Sequence, residues 1–94
     1  MFSEKQCNIA RLMTGADTPD EIISEEHAAM LGPNRNVAAM RIDQAISLYG
    51  KPFSQVWELA LKDFREIASQ YNISPATLFC VYLEWLDMMG KALT

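Results

Sequence analysis

The stretch Phe64–Val81, FREIASQYNISPATLFCV, decides the fold because it specifies two helices and the tight turn between them. Asn72 stands where the turn needs a positive φ, which asparagine adopts more readily than most residues with side chains. Ser74 and Pro75 are typical of an N-cap and of a first helical position. We therefore expect one helix to end near Tyr71 and another to begin after Ser74.

Apolar residues on both sides of the turn indicate how the two helices pack. Ala68 is small enough to let the second helix approach closely, and Ile73 fills the space after the turn. Leu78 and Val81 follow at helical spacing and face back towards the first helix. The segment therefore predicts a tightly packed helix pair.

This pattern resembles the helix-turn-helix superfamily over residues 64–83. In that superfamily, early exposed positions of the second helix contact the bases of DNA. The resemblance assigns DNA contact to Ser74, Ala76, Thr77, Lys62 and Arg65. Serine and threonine can hydrogen-bond a base edge, but neither makes the bidentate contacts that discriminate best between bases.

Start and stop signals divide the rest of the chain, so we predict an all-α, compact bundle of about five helices in a single domain, residues 1–94. Ser3 and Gln6 have the spacing of a capping box, and Thr18 to Glu21 have the residue types of a second helix start. The predicted helices run from Ser3 to Thr14, Thr18 to Leu31, Asn34 to Tyr49, Pro52 to Tyr71, and Ser74 to about Met89.

Periodicity within these helices predicts which faces are buried. The first helix has a shared apolar face of Ile9, Ala10, Leu12 and Met13. The third helix is predicted to bury Ala38, Ile42, Ala45, Ile46 and Tyr49. Its opposite face is predicted to be polar and to carry Arg35, Arg41, Asp43, Gln44 and Ser47.

The last helix is too apolar to need only one neighbour. Drawn as a wheel, its apolar residues cover an arc of roughly 220°, whereas a helix that buries one face needs little more than about 100°. We expect it either to be central in its own domain or to be shared with a second chain. The candidate interface residues are Phe79, Leu83, Trp85, Leu86 and Met89.

Composition limits the classes of partner and compartment. Half of the 94 residues are apolar, as in a globular protein, and the net charge is -4, which does not favour binding to a phosphate backbone. Cys7 and Cys80 are the two cysteines, and Cys80 lies in an apolar run, which favours a reduced thiol over a disulfide. No signal peptide and no membrane-spanning run is predicted, so we expect a cytoplasmic protein.

The sequence offers little material for catalysis. His27 is the single histidine, so a metal site would lack further nitrogen ligands of suitable spacing. No serine stands in a nucleophile-elbow context, and the four glycines form no phosphate-binding loop. We therefore expect no enzymatic activity, no metal and no cofactor.

Three functions are compatible with these patterns. The leading hypothesis is a small non-enzymatic helical protein that acts by protein–protein interaction and self-associates through its C-terminal helix. The first alternative is a DNA-binding transcriptional regulator of bacterial or phage type, with a basic patch assembled from Arg35, Arg41, Lys51, Lys62 and Arg65. The second is an acidic inhibitor that occupies a nucleic-acid site on another protein through Asp17, Asp20, Glu21, Glu25 and Glu26.

Overall fold

The computed structural model describes residues 2–14 and 23–93, and these residues form five α-helices. The helices are α1 (Glu4–Thr14), α2 (Glu25–Met30), α3 (Asn34–Ser47), α4 (Phe53–Gln70) and α5 (Pro75–Met88). The described ranges contain no strand. The predicted all-α bundle of five helices is therefore confirmed.

Helix α5 is the centre of the bundle. It contacts α1, α2, α3 and α4, and ten of its 14 residues are buried. The Phe79 ring stacks on Phe64 at a centroid distance of 4.8 Å and meets Phe53 edge-on at 6.0 Å. Aromatic pairs of this geometry add to the free energy that area burial alone supplies. The wide apolar arc of the last helix is therefore covered within one chain.

The turn between α4 and α5 has the predicted conformation. Asn72 has a φ of 57°, and two backbone bonds close the end of α4 around it. The Asn72 amide donates to the Ser69 carbonyl at 3.3 Å, and the Ile73 amide donates to the Ala68 carbonyl at 3.1 Å. This pair of bonds is the Schellman motif, which satisfies carbonyls that the helix end would otherwise leave unpaired.

Two predicted helix starts are confirmed by their hydrogen bonds. The Ser3 amide donates to Gln6 Oε1 at 2.9 Å, and the Gln6 amide donates to Ser3 Oγ at 3.1 Å, which makes a complete capping box. Ser74 Oγ accepts from the Thr77 amide at 3.0 Å, with Pro75 in the first helical position. Both starts follow from local sequence.

The second helix is shorter than predicted. It begins at Glu25, because Ser24 has extended backbone (φ -120°, ψ 109°) and its side chain accepts from the His27 amide. The Ser24 amide donates to Thr77 Oγ1 at 3.0 Å, a tertiary bond that continuation of a helix through Ser24 would break. The predicted start at Thr18 lies outside the described residues.

Smaller differences concern single positions. Leu12, predicted on the apolar face of the first helix, is 79% exposed. Pro33 occupies the N-cap position of α3, and Asn34 is its first helical residue. The α3 residues predicted to be buried are buried or half-buried, and the helix ends near Gly50, whose φ is +65°.

Replacement of Phe79 by alanine should lower the free energy of unfolding by about 3–5 kcal/mol, because the change opens a cavity between two other aromatic rings. Urea denaturation followed by circular dichroism measures the change. Leu12→Ala is the matched control on an exposed site and should stay within about 0.5 kcal/mol of the wild type. A Phe79→Ala loss below about 1 kcal/mol would contradict the central place of α5.

The positive φ at Asn72 gives a second prediction. Asn72→Val should destabilise the protein by about 1–2 kcal/mol, because a β-branched side chain clashes in the left-handed conformation. Asn72→Gly should be neutral or stabilising, since glycine adopts that conformation without a steric penalty. Thermal and urea unfolding of both variants measure their free energies of unfolding. Equal values for the two variants would show that the turn adjusts its backbone to accept valine.

Candidate protein-binding surface

Four of the five residues predicted for an interface on the last helix lie inside the bundle. Phe79, Leu83, Trp85 and Leu86 are at most 9% exposed, whereas Met89 is 56% exposed at the end of α5. Because these four side chains pack against the chain's own helices, they leave no apolar surface for a partner. The excess apolar character of this helix is explained by its four neighbours.

The residues that the helix-turn-helix resemblance assigns to DNA contact do not form one surface. Ala76 and Thr77 are fully buried, and Ser74 is half-buried with its side chain bonded to Thr77. Ser24, immediately before α2, contacts this turn through the bond from its amide to Thr77 Oγ1. Lys62 and Arg65 are exposed, whereas Ala76 and Thr77 are not accessible to a base edge.

Two members of the predicted basic patch make contacts within the bundle. Arg35 pairs with Glu84 of α5 at 2.7 Å and lies over the Phe2 ring at 5.4 Å. Arg41 lies over the Tyr71 ring at 5.9 Å. Each of these two guanidinium groups is therefore engaged at a different contact within the bundle.

The acidic face is described only in part. Asp17, Asp20 and Glu21 lie outside the described residues. Glu25 and Glu26 are exposed in the first turn of α2, where carboxylates complement the helix dipole. Glu25 also accepts a hydrogen bond from the Phe2 amide. The structure therefore gives Glu25 a role in holding the N-terminal segment.

The outward side of α3 is the notable surface of the described chain. Val37, Met40 and Leu48 are 45%, 48% and 89% exposed. At about 100° per residue, these three side chains and Gln44 fall within one narrow arc opposite the buried residues Ala38, Ala39, Ile42 and Ile46. We call Val37, Met40, Gln44 and Leu48 the α3 ridge. The residues predicted for the opposite face did not include Val37, Met40 and Leu48, which are exposed on it.

Two hollows lie near the ridge, the first between α3 and α4 and the second between α2 and the turn that follows α4. One hollow of about 280 Å³ is lined by Arg41, Gln44, Ala45, Leu48, Asp63, Glu66 and Ile67. A second, of about 270 Å³, is lined by His27, Met30, Leu31, Tyr71, Asn72 and Ile73. Arg41 and Tyr71 join the two through their cation–π contact. We call the two hollows together the α3–α4 groove, and the exposed Met30 side chain lies at its far end.

Hydrogen bonds hold α3 in place on both flanks. On the α4 side, the Tyr49 hydroxyl donates to Asp63 at 2.8 Å, and this bond raises the pKa of Tyr49. On the α5 side, the Tyr82 hydroxyl donates to Asp43 at 3.0 Å, and Lys91 lies 3.5 Å from the same carboxylate. Burial, with the bond to Asp43, raises the pKa of Tyr82. These anchors keep the ridge directed to solvent.

The described part of the chain contains no cluster of His, Cys, Asp and Glu side chains able to hold a metal ion. Within the same ranges, no helix has both the length and the apolar character needed to cross a membrane. Comparison with protein-family models, curated proteins and solved structures finds no match.

Sequence reasoning missed the α3 ridge although a signal was present. Val37, Met40 and Leu48 are separated by three and eight residues, which places them on one helical face. The polar residues between them, such as Arg41 and Asp43, are typical of a helix face exposed to solvent. Those two side chains point to the flanks, where they contact Tyr71 and Tyr82 respectively.

The two cysteines are free thiols, and they differ in environment. Cys7 is half-buried, whereas Cys80 is fully buried and its Sγ lies 3.7 Å from the Gln6 carbonyl oxygen. Burial, together with the neighbouring Cys7, raises the pKa of Cys80 to about 12. Cys80 is therefore a protonated core residue at neutral pH and a poor nucleophile.

This burial predicts a loss of stability in alkaline solution. The Cys80 pKa rises from 9.0 to about 12 on folding. The protonated thiol therefore contributes fully to the free energy of unfolding below the unfolded pKa, and this contribution is lost as the pH increases towards the folded pKa. Urea unfolding at a series of pH values should show this decline, and Cys80→Ala should flatten it. Equal reaction of Cys7 and Cys80 with a thiol reagent in the native state would contradict the assignment.

Proposed function

We propose that this chain is a small non-enzymatic helical protein that acts by binding another protein chain, and that the α3 ridge with the α3–α4 groove is the binding surface. The observation that carries the proposal is the exposure of Val37, Met40 and Leu48 on one arc of a helix whose other side is fully packed. Clustered exposed apolar side chains mark interaction sites on small soluble domains.

The energetics of burial support this choice. Full burial of a valine, leucine or methionine side chain contributes about 1.5–3 kcal/mol relative to exposure, and Leu48 is 89% exposed. Met40 and Met30 are flexible and polarizable, so they can adapt to the shape of a partner. The ridge thus offers the apolar centre that protein interfaces use.

Charges around the groove supply specificity. Arg41 lies on one side of the first hollow, and Asp63 and Glu66 lie on the other. A partner that carries both an acidic and a basic group beside an apolar strip would be complementary to this rim. Such rim charges influence the rate and selectivity of association more than its strength. The surface therefore favours an amphipathic helix over a uniformly charged polymer.

DNA binding is the weaker candidate on physical grounds. Ala76 and Thr77 are fully buried, so base contact by the early turn of α5 would require removal of the segment around Ser24. The net charge of -4 also repels a phosphate backbone. Inhibition through an acidic face would rest on Glu25 and Glu26 among the described residues. The apolar surface on α3 requires no such rearrangement.

The double substitution Met40→Lys with Leu48→Lys tests the surface. We expect it to weaken binding to the physiological protein partner by at least about ten-fold, because two charges would replace the apolar contact. Capture from extracts of the source cells identifies the partner, and calorimetric titration of the purified pair measures the dissociation constant. Unfolding in urea should show the variant to be nearly as stable as the wild type, since both sites are exposed.

The matched control is Leu12→Lys with Met88→Lys. These residues are 79% and 69% exposed and lie on α1 and α5, away from the α3 ridge. The control introduces the same two charges, so binding should remain close to that of the wild type. Equal binding by both double variants would refute the assignment of the surface to α3.

A further inference from the structure

We propose that Cys7 and Cys80 are a redox pair, which a peroxide oxidises to a disulfide that fastens α1 to α5 and which a thiol reductant restores. Both cysteines are free thiols in the structure, so the bond forms after the chain has folded. This inference goes beyond the proposed function, because it concerns the packing of α1 on α5 and does not involve the α3 ridge.

The sulfur of Cys80 lies against the backbone of α1 at Cys7. Helices α1 and α5 pack against each other, and the Cys80 thiol donates to the Gln6 carbonyl, with Sγ 3.7 Å from the oxygen. That carbonyl belongs to the peptide group that joins Gln6 to Cys7. A side chain reaches the backbone of another helix only where the two helices approach closely. The chain therefore brings its two cysteines to one contact between α1 and α5.

The Cys7 side chain is directed to the same contact. It is half-buried and packs against the apolar core. Ala10, three residues later, is fully buried, and residues three apart share a helix face. Burial raises the pKa of Cys80, and the neighbouring Cys7 raises it further, which requires the two side chains to be close. The two thiols are therefore neighbours in the folded chain.

The two cysteines are suited to different steps of the oxidation. Cys7 is half-buried, so a small oxidant can reach it, whereas Cys80 is fully buried and shielded from direct attack. Arg11, one turn after Cys7, is exposed, and its charge opposes the rise in the Cys80 pKa that burial, Cys7 and Glu84 cause. Reactive cysteines are typical of partly exposed sites beside a cation. Cys7 is therefore the thiol that is oxidised first.

The oxidation proceeds in two balanced steps. The Cys7 sulfur attacks one oxygen of hydrogen peroxide, the O–O bond breaks, and Cys7 becomes a sulfenic acid as one water leaves. The Cys80 sulfur then attacks the Cys7 sulfur, the S–O bond breaks, and the hydroxyl leaves with the Cys80 proton as a second water. The two cysteines lose one electron each, and the peroxide receives both. Two molecules of a thiol reductant reverse the bond and leave as their own disulfide.

The bond would act as a staple between the two ends of the chain. Cys7 lies in the first helix and Cys80 in the last, so the disulfide closes most of the chain into one loop. In the chain-entropy model, a disulfide that closes a long loop restricts the unfolded chain more than one that closes a short loop. Oxidation should therefore make the bundle harder to unfold, and reduction should reverse the effect.

Peptide mapping after mild oxidation tests the bond. The reduced wild-type chain is treated with a small excess of hydrogen peroxide, blocked with iodoacetamide and digested with trypsin without reductant. We expect peptide 6–11, with Cys7, to be joined to peptide 66–91, with Cys80, and dithiothreitol to separate them. A non-reducing gel should show a single chain. A disulfide between two copies, or a Cys7 sulfenic acid that persists beside a reduced Cys80, would overturn the proposal.

The matched control moves the thiol by one residue on α1. In the double variant Cys7→Ser with Asn8→Cys, the new thiol replaces an exposed side chain, so the joined peptides should be lost. Cys80→Ala should accumulate the Cys7 sulfenic acid, which dimedone traps, because the second thiol is missing. Linkage in the Asn8→Cys variant as fast as in the wild type would show that the bond needs no preset contact, and it would contradict the pairing.

Urea unfolding of the linked protein measures the effect of the bond. The midpoint should shift upwards on oxidation and return after dithiothreitol, whereas a midpoint that falls on oxidation would show that the native contact does not accommodate the disulfide. Met40→Lys with Leu48→Lys should form the bond as the wild type does, because both changes lie on α3. Failure of the redox pair therefore leaves the proposed binding surface untouched, and failure of that surface leaves the redox pair untouched.

Discussion

The stacking of Phe79 on Phe64 within the centre of the bundle is the contact on which the other features depend. It lies on α5, which contacts all four other described helices. Because α5 is central, its neighbours bury most of its apolar side chains, and little apolar surface on this helix remains exposed to a partner. The other helices then become the outer layer of the protein. A binding surface would then lie on their outward faces, and on α3 the side chains of Val37 and Met40, with Leu48 at the C-cap, are exposed along one arc.

A buried hydroxyl explains both an unexpected helix boundary and the covered start of α5. Thr77 is fully buried and accepts a bond from the Ser24 amide while it shares another with Ser74. A buried polar group needs such partners because loss of hydration is otherwise costly. The bond holds Ser24 in extended backbone, so the predicted second helix does not run through Ser24 and α2 starts at Glu25. It also lays this segment over the early turn that a DNA-binding helix would expose.

The position of α3 unites the fold with the proposed function. Tyr49 bonds to Asp63 and Tyr82 bonds to Asp43, and these two bonds hold the flanks of α3. The polar residues on the flanks therefore contact the bundle and do not form a solvated face. The side left towards solvent then carries Val37, Met40 and Leu48 around Gln44. A surface whose backbone is already held needs little ordering when it meets a partner, so more of the contact free energy appears as affinity.

Local sequence determined the helices and their ends where the relevant groups lie within a few residues of each other. The capping box at Ser3 and Gln6, the left-handed Asn72 and the start at Ser74 all depend on short-range bonds and steric preference, and the all-α class follows from them. The tertiary structure decided which neighbour each helix face meets. It determined that Phe79 and Leu83 pack within the chain, that Ser24 interrupts the predicted second helix, and that the apolar residues of α3 face outwards. Periodicity defines a face but not its environment, because burial depends on residues far away along the chain.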